Sequence, residues 1–404
     1  MKTMQRISAA FLTLLMVVTM LPSEAFSAFA ATELNGYRNG NKDFINANDI
    51  NQGKDLWTGD NASDPFGVAK QFGITTFNDL IFTNTFGHVE TNAAVGGKIQ
   101  NIRDSLVTTN SNAFPLPYLN LSLVLGGDVV NTVPDIGYGY AKIGNIAQGD
   151  VIAKNDNVRW VNLIDKKHKF IAPEFREPNL SHGFYENAGV SKYFQDAHDY
   201  LTASQTLLLK LESNCEVEYS ANNILENVVT FNATQKGCAN VFDYTPKTAH
   251  NTFNFNVDDN SSAVIIRVHA DDIPTQAEFL NCSSMYYNGT QIQVGSKMPQ
   301  NILWVFDKAI TDIPLNFGPF AGSILAPDAN IRLIGASASL NGTIVAKEFT
   351  ASMGCQEIHW VPFKGNTKVT PEYNNINFTK VDSANEKALD GAEFTLYTTK
   401  NENG

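Results

Sequence analysis

Three residues near the middle of the chain combine side chains that bind metals or transfer protons. Asp196, His198 and Asp199 offer two carboxylates and an imidazole, a donor set for a divalent cation or for general acid–base chemistry. They alternate, however, with apolar residues that recur at helical spacing, so we expect them on the polar side of a helix. The spacing therefore favours a solvated surface over a metal site.

Two further histidines stand beside carboxylates in strand-like surroundings. His269 precedes Asp271 and Asp272 directly after an apolar run, where polar residues are ordinary turn material. His359 follows Glu357 by two residues, and in a strand this spacing puts both side chains on one face. An acid–base pair and a purely structural strand are the two interpretations of that pair.

Motifs that identify common enzymes do not occur in the sequence. There is no phosphate-binding glycine loop, serine elbow, His-Glu-x-x-His motif or Cys-x-x-Cys pair. We therefore assign no catalytic residue, no metal ligand and no cofactor. The formal net charge of -12 also argues against a nucleic-acid partner.

The first thirty residues have the pattern of a secretory signal peptide. Lys2 and Arg6 precede an apolar run over residues 7–21, and an Ala-Phe-Ala cleavage site follows at 28–30. A membrane anchor is the weaker interpretation, because the run is short and contains polar residues. We expect residues 1–30 to be removed and the mature chain to be secreted. Residues 31–63 are rich in Asn, Gly and Asp, which predicts a loop-like lead-in.

An exported chain can form disulfides, and this one has four cysteines. Three connectivities are open to them. Cys215 and Cys238 bracket a stretch that resembles adjacent strands, so they are our first choice for a bridge. The alternative is four buried free thiols, because cysteine is often simply a small core residue.

Two segments near the C-terminal end repeat one pattern at an interval of twenty residues. Residues 322–327 read Gly-Ser-Ile-Leu-Ala-Pro and residues 342–347 read Gly-Thr-Ile-Val-Ala-Lys. This interval is about one coil of a β-solenoid, so we expect stacked rungs, and we interpret these two as its last regular coils. Glycine pairs at 96–97 and 126–127 interrupt other short strands, where we expect them to supply the positive φ of a corner.

One segment has helical instead of strand periodicity. From Val190 to Leu211 the apolar residues are spaced by three, four and seven, which predicts an amphipathic helix. We expect a single long helix among many short strands to pack along the flank of the sheet. The fold class is therefore mainly β, a solenoid with one helix alongside.

The order of these motifs resembles the choice-of-anchor A family of bacterial surface proteins. The glycine-pair strands, the helix, the strand at 264–268, the paired rungs and the closing segment 357–363 carry the resemblance, which covers residues 64–365. It implies a right-handed, ice-binding-protein-like β-solenoid with an adhesive role. The match of the closing segment also favours a structural role for His359 and Glu357.

The last thirty-one residues, 374–404, follow a polar linker at 366–373 and resemble a second family. Residues 378–382 and 389–397 look like the first two strands of a SpaA-type (collagen-binding protein B-type) prealbumin-like stalk domain. In that family a strand lysine forms an isopeptide bond with assistance from a glutamate, and Lys380 and Glu393 match those positions. The strand that would carry the acceptor is not in the sequence, so only the start of a β-sandwich is expected.

Together these features predict a secreted, surface-displayed adhesin that binds an extracellular glycan or matrix protein without catalysis. We expect attachment to the cell wall of a Gram-positive bacterium through a downstream anchor. The first alternative is a carbohydrate-active enzyme on a β-solenoid. The second is a structural surface-layer or ice-binding protein, although ice binding needs regular Thr-x-Thr rows and the sequence has only scattered pairs such as Thr75-Thr76.

Overall fold

The computed structural model describes most of residues 45–369. The gaps are 46–48, 51–52, 54, 84–87, 102–120, 131–139, 144–145, 156–157, 164–168, 174–188, 224–225, 247–249, 273–279, 294–298, 318–319, 335–336 and 352–354, and for 140–173 the backbone alone is described. The predicted signal peptide at 1–30 and the predicted stalk segment at 374–404 lie outside the described residues.

Short strands make up most of this part of the chain, as expected. In chain order they are β1 (Ile74–Thr76), β2 (Leu80–Phe82), β3 (His88–Glu90), β4 (Ala93–Val95), β5 (Ile99–Gln100), β6 (Leu121–Leu125), β7 (Val129–Val130), β8 (Tyr140–Ile143), β9 (Ile146–Asn155), β10 (Val158–Leu163), β11 (Lys169–Pro173), β12 (Val217–Asn223), β13 (Glu226–Ala233), β14 (Asn240–Asp243), β15 (His250–Val257), β16 (Val264–Val268), β17 (Leu280–Tyr287), β18 (Thr290–Gln291), β19 (Ile302–Phe306), β20 (Asp312–Phe317), β21 (Phe320–Ala321), β22 (Ser323–Leu333), β23 (Ser337–Gly342), β24 (Ile344–Ala351) and β25 (Cys355–Trp360).

Parallel pairing arranges most of these strands in three columns, as successive coils of a solenoid do. The first column runs β14, β16, β19, β22, β24, β1, β4, β6, β8. The second runs β13, β15, β17, β20, then the later halves of β22 and β24, then β2, β5, β7. The third consists of β21, β23, β25 and β3. The predicted mainly β, solenoid-like architecture is confirmed.

The repeated segments lie on adjacent rungs, but they are not the last coils of the stack. Ile324, Leu325 and Ala326 pair in register with Ile344, Val345 and Ala346, which confirms the predicted repeat. On its other side β24 pairs with β1, and β25 pairs with β3. The N-terminal coils therefore stack on the coil that we expected to be terminal. We call the pairing of β1, β2 and β3 with β24 and β25 the seam.

One sheet leaves this stack. Strands β9, β10 and β11 form a three-stranded antiparallel sheet after β8. In chain order it lies between β8, the last strand of the first column, and the helical segment that begins at Val190.

Side chains that point into the coils form one continuous apolar core. Its centre is aromatic: the fully buried ring of Trp304 contacts those of Phe231, Tyr244, Phe253 and Phe320 at centroid distances of 5.5 to 6.1 Å. Edge-on and tilted packing of this kind adds to the stabilisation from burial alone. These rings fix the C-terminal coils to one another.

The predicted helix is present as α1 (Val190–Leu209). It packs on the outer side of the first column, because alternate strand residues such as Leu303, Leu325 and Val345 turn away from the interior and join the helix in a second core. Two residues of the lead-in, Ile50 and Trp57, belong to the same core. The two apolar residues in each repeated rung thus serve different cores. Within the described residues, no helix is both long enough and apolar enough to cross a membrane.

The glycine pairs serve a purpose different from the one we predicted. Positive φ occurs at Gly322, with φ of 124°, but not at the pairs 96–97 and 126–127. A Cβ on Gly96 would lie 2.3 Å from the Phe77 carbonyl oxygen, and one on Gly126 would lie 2.3 Å from that of Gly96. The pairs are needed because backbones of successive coils approach closely at this corner.

Candidate functional site

The second column carries a polar outer surface on three adjacent strands. Residues of β13, β15 and β17 alternate between the buried core and the outside, as strand geometry requires. We call the outward set the amide face; it consists of Thr230, Asn232, Thr252, Asn254, Asn256, Ser284 and Tyr286, each at least partly exposed. The apolar residues between them, such as Phe231 and Phe255, hold the strands in place.

Neighbouring strands align these side chains in rows. Thr230 pairs with Asn254, which pairs with Tyr286. Asn256 Nδ2 donates to Asn232 Oδ1 at 2.8 Å, and Asn232 Nδ2 donates in turn to Glu218 Oε1 at 2.7 Å. Each amide offers donors and an acceptor, so the rows can bind groups that both donate and accept hydrogen bonds.

Further along the same column the surface becomes charged. Arg332 makes two hydrogen bonds to Asp312, from Nε to Oδ1 and from a terminal nitrogen to Oδ2, both 2.7 Å long. The bond to Asp312 raises the pKa of Arg332 above its usual range. The outer residues of this column thus mix threonine with amides and charges, and do not repeat threonine from coil to coil. Thr75 and Thr76, the pair noted in the sequence, are fully buried.

The third column brings Glu357 and His359 together, as strand alternation predicts, and adds Glu90 from β3. His359 Nε2 lies 3.3 Å from Glu90 Oε2 and 3.3 Å from Glu357 Oε2. The imidazole is buried, with 4% of its side chain exposed, whereas the two glutamates are 20% and 26% exposed. Within the described residues, one group of three possible metal-ligating side chains was found, and it is this one; its donor atoms all lie within 4.8 Å of one another.

Sequence reasoning missed Glu90. It lies far from His359 in the chain, and the two residues meet only because β3 pairs with β25, where His359 is opposite Glu90. The alternation of Glu357 and His359 was the available signal, and it indicated a shared face without indicating the third member.

The residues of the predicted helix cluster take separate partners. Asp196 forms an ion pair with Lys192, while His198 Nε2 lies 2.9 Å from Asp328 Oδ1. Asp199 is exposed. The predicted polar side of the helix is confirmed.

His269 also pairs outside its own loop. Its Nε2 lies 2.8 Å from Asp243 Oδ1, and the same carboxylate accepts a hydrogen bond from buried Arg267. Arg267 donates as well to the carbonyl oxygens of Leu209 and Leu211 at the end of α1. Cations stabilise the C-terminal end of a helix, so this group fixes the helix to the first column.

Cys215, Cys238 and Cys282 are free thiols in this structure. Burial raises the pKa of Cys215, and the neighbouring Cys238 contributes to the rise. Burial also raises the pKa of Cys282 to about 12. The bridge between Cys215 and Cys238 stays a prediction. Lys380 and Glu393, the predicted isopeptide residues, lie outside the described residues.

One family model matches most of the chain. Residues 65–360 match the family model described as "Putative Ice-binding-like adhesive domain". No curated protein matches the chain. Among solved structures, the chain is similar to the ice-binding protein of the Antarctic ascomycete Antarctomyces psychrotrophicus, with 11% identity, 73% of this chain and 97% of that chain covered, and a TM-score of 0.31.

Two other structures give comparable values. An antifreeze protein of an Arctic yeast (LeIBP) is 11% identical, with 79% of this chain and 100% of that one covered and a TM-score of 0.30. The ice-binding protein_1 DUF3494 domain of Shewanella frigidimarina is 12% identical, with 73% and 96% covered and a TM-score of 0.29. The assignment rests on the family match, which spans most of the described residues: the chain belongs to this family of ice-binding-like adhesive domains.

Proposed function

We propose that the chain is an extracellular adhesive module whose amide face binds a hydroxyl-rich ligand, such as a surface glycan, without catalysis. The observation that carries the proposal is the alignment of Thr230, Asn254 and Tyr286 in one partly exposed row beside the ladder of Asn232 and Asn256. The adhesive character of the family agrees with this function.

The chemistry of the face suits a polar, uncharged ligand. Asparagine, serine and tyrosine are the residues that recognition surfaces use for adaptable hydrogen bonds and for rigid contact area. A saccharide hydroxyl donates and accepts at once, and an amide side chain meets both needs. The strands beneath are tied to a buried aromatic core, so the face is held in shape before the ligand arrives, which lowers the entropic cost of binding.

Ice binding fits the outer surface less well. The sequence led us to expect regular threonine rows for that function, whereas the rows here contain asparagine, tyrosine and the Asp312–Arg332 ion pair. Glycoside hydrolysis is also a poor fit to the two carboxylates that converge. The buried imidazole of His359 lies 3.3 Å from an oxygen of each, between the two carboxylates that would have to flank a glycosidic bond.

The proposed function includes display of the chain on the cell surface. The choice-of-anchor A resemblance, the signal-peptide pattern at 1–30 and the stalk-like motif at 374–404 support export and display on a Gram-positive cell wall. In a protein that contains the whole stalk domain, the neutral amine of Lys380 would attack the side-chain amide of an acceptor Asn, with Glu393 assisting the proton transfer, and the C–N bond of that amide would break to release ammonia. Loss of ammonia would lower the mass by about 17 Da, which intact-protein mass spectrometry measures.

Ligand binding and the two alternative functions, ice binding and polysaccharide cleavage, can be measured on one protein sample. The chain is applied to glycan and matrix-protein arrays, assayed for thermal hysteresis, and incubated with a polysaccharide panel. We expect saturable binding to array members, no hysteresis and no cleavage. Blank arrays together with hysteresis would establish ice binding instead, and blank arrays together with cleavage would establish an enzyme.

A further inference from the structure

We propose that Glu90, Glu357 and His359 bind one divalent transition-metal cation, with Zn²⁺ as the best fit. The donor set is one imidazole nitrogen and two carboxylate oxygens, which Zn²⁺ accepts readily. Donor atoms about 2.0 to 2.1 Å from a tetrahedral ion lie roughly 3.3 to 3.4 Å apart. The nitrogen of His359 is 3.3 Å from each carboxylate oxygen, in agreement with that geometry.

The tautomer of the His359 imidazole is set by Asn341, which lies on the other side of the ring. Asn341 Nδ2 donates to the Phe320 carbonyl oxygen at 2.8 Å, which fixes the amide so that Oδ1 faces His359. His359 Nδ1 lies 2.9 Å from that oxygen and must therefore carry a proton. In the neutral ring Nε2 then has a lone pair directed at the two glutamates. Metal-binding histidines are held in the same way, by an N–H bond to an oxygen on the far side of the ring.

That lone pair has no hydrogen-bond partner. Nε2 is fully buried, and neither of its contacts to the carboxylates has hydrogen-bond geometry. A neutral nitrogen beside two anionic oxygens is unfavourable because like charges and lone pairs face one another. A divalent cation between the three atoms removes this repulsion and gives Nε2 a partner. Because Glu90 and Glu357 are partly exposed, a cation can reach them from solvent.

The position of the site gives the cation a structural role. Glu90 belongs to β3, in the N-terminal coils, and the other two ligands belong to β25, which follows β24. The cation would therefore join the two parts of the chain across the seam. Because a ligand that binds the folded state alone stabilises it, metal binding should make the seam more resistant to unfolding.

Calorimetric titration of the full chain, after treatment with a chelator, tests the site. We expect one Zn²⁺ per chain, a higher Tm with Zn²⁺, and weaker binding of Mg²⁺. E90Q and E357Q should each weaken Zn²⁺ binding at least tenfold and remove the rise in Tm. H198Q and H269Q serve as matched controls, since each of these histidines lies beside a carboxylate but, among the described residues, belongs to no group of three metal-ligating side chains. Both variants should bind Zn²⁺ as the wild type does.

A second measurement needs no variant. The imidazole ¹⁵N resonances of the wild-type protein report whether Nε2 carries a proton, and they should shift at one histidine when Zn²⁺ is added. The proposal is overturned by a wild type that binds no Zn²⁺, by E90Q and E357Q that bind it unchanged, or by a His359 Nε2 that stays protonated in the presence of Zn²⁺. The last result would identify the cluster as an imidazolium bridging two carboxylates.

Discussion

Ile74, in β1, pairs in parallel with Ile344, which pairs on its other side with Ile324. The coil of Ile344 therefore has neighbours from both ends of the described chain. The strand columns continue from β24 to β1 and β2. The N-terminal coils are therefore held to the C-terminal coils by contacts between residues that are far apart in sequence. Attachment of the N-terminal coils to the remaining coils therefore depends on side-chain packing at the seam.

Removing the side chain of Ile344 should weaken the seam strongly. The residue is fully buried between Ile74 and Ile324, and truncation of such a side chain costs about 2 to 5 kcal/mol. Ile344→Ala should lower the urea midpoint accordingly. Leu207→Ala is the control, since Leu207 is 44% exposed and should change stability by less than about 0.5 kcal/mol. If the two substitutions lowered stability equally, the packing of Ile344 between β1 and β22 would be contradicted.

The corner glycines should tolerate no side chain. A Cβ at position 126 meets the Gly96 carbonyl oxygen at 2.3 Å, whereas at Gly237, with φ of 70°, nothing lies within 4 Å. Asparagine accepts positive φ, so Gly237→Asn should be nearly neutral. Gly126→Asn should lose roughly 1 to 3 kcal/mol or more, as overpacking does. Thermal unfolding of both variants checks this, and a stable Gly126→Asn would show that the coils can move apart.

Stability should fall in alkali through Cys282. Its folded pKa is raised to about 12 by burial, and an unfolded thiol has a pKa of about 8.5. The unfolded chain therefore loses this proton first, so stability is full below about pH 8.5 and decreases as the pH rises towards 12. Urea titrations from pH 7 to 11 should show the decrease, and Cys282→Ala should make it shallower. An unchanged slope would mean that other groups cause the alkaline loss.

Oxidation should join Cys215 to Cys238. The two thiols are close enough for Cys238 to raise the pKa of Cys215, and an exported chain meets oxidising conditions. Peptide mapping without reductant should find this bridge, with Cys282 reduced as an internal control. Complete alkylation of Cys215 and Cys238 after air oxidation would favour the free thiols.

Local features were predictable and long-range ones were not. The helix beginning at Val190 follows from periodicity within twenty residues, and Ile324 and Ile344 belong to neighbouring coils that repeat one pattern. The pairing of Ile74 with Ile344 has no such local signature, because the two strands share no repeat interval. The corner glycines were found correctly but explained wrongly, since a close approach of two backbones depends on the coil stacked above.

Long-range strand pairing is also the reason why the candidate site could be predicted only in part. Alternation of Glu357 and His359 predicted a shared face, but Glu90 joins them through a strand pairing across the seam. The amide face could not be predicted from the sequence either, because Thr230, Asn254 and Tyr286 form a row only through the register of three separate coils.

The most direct test of the adhesive function compares two double variants on the glycan and matrix-protein arrays. One carries Asn254→Ala and Asn256→Ala on the amide face, and the other carries Gln195→Ala and Asp199→Ala at exposed positions of α1. We predict that the first loses at least tenfold in array binding, because its hydrogen-bonding rows are broken, while the second binds as the wild type does. Undiminished binding by the amide-face variant would contradict the central claim.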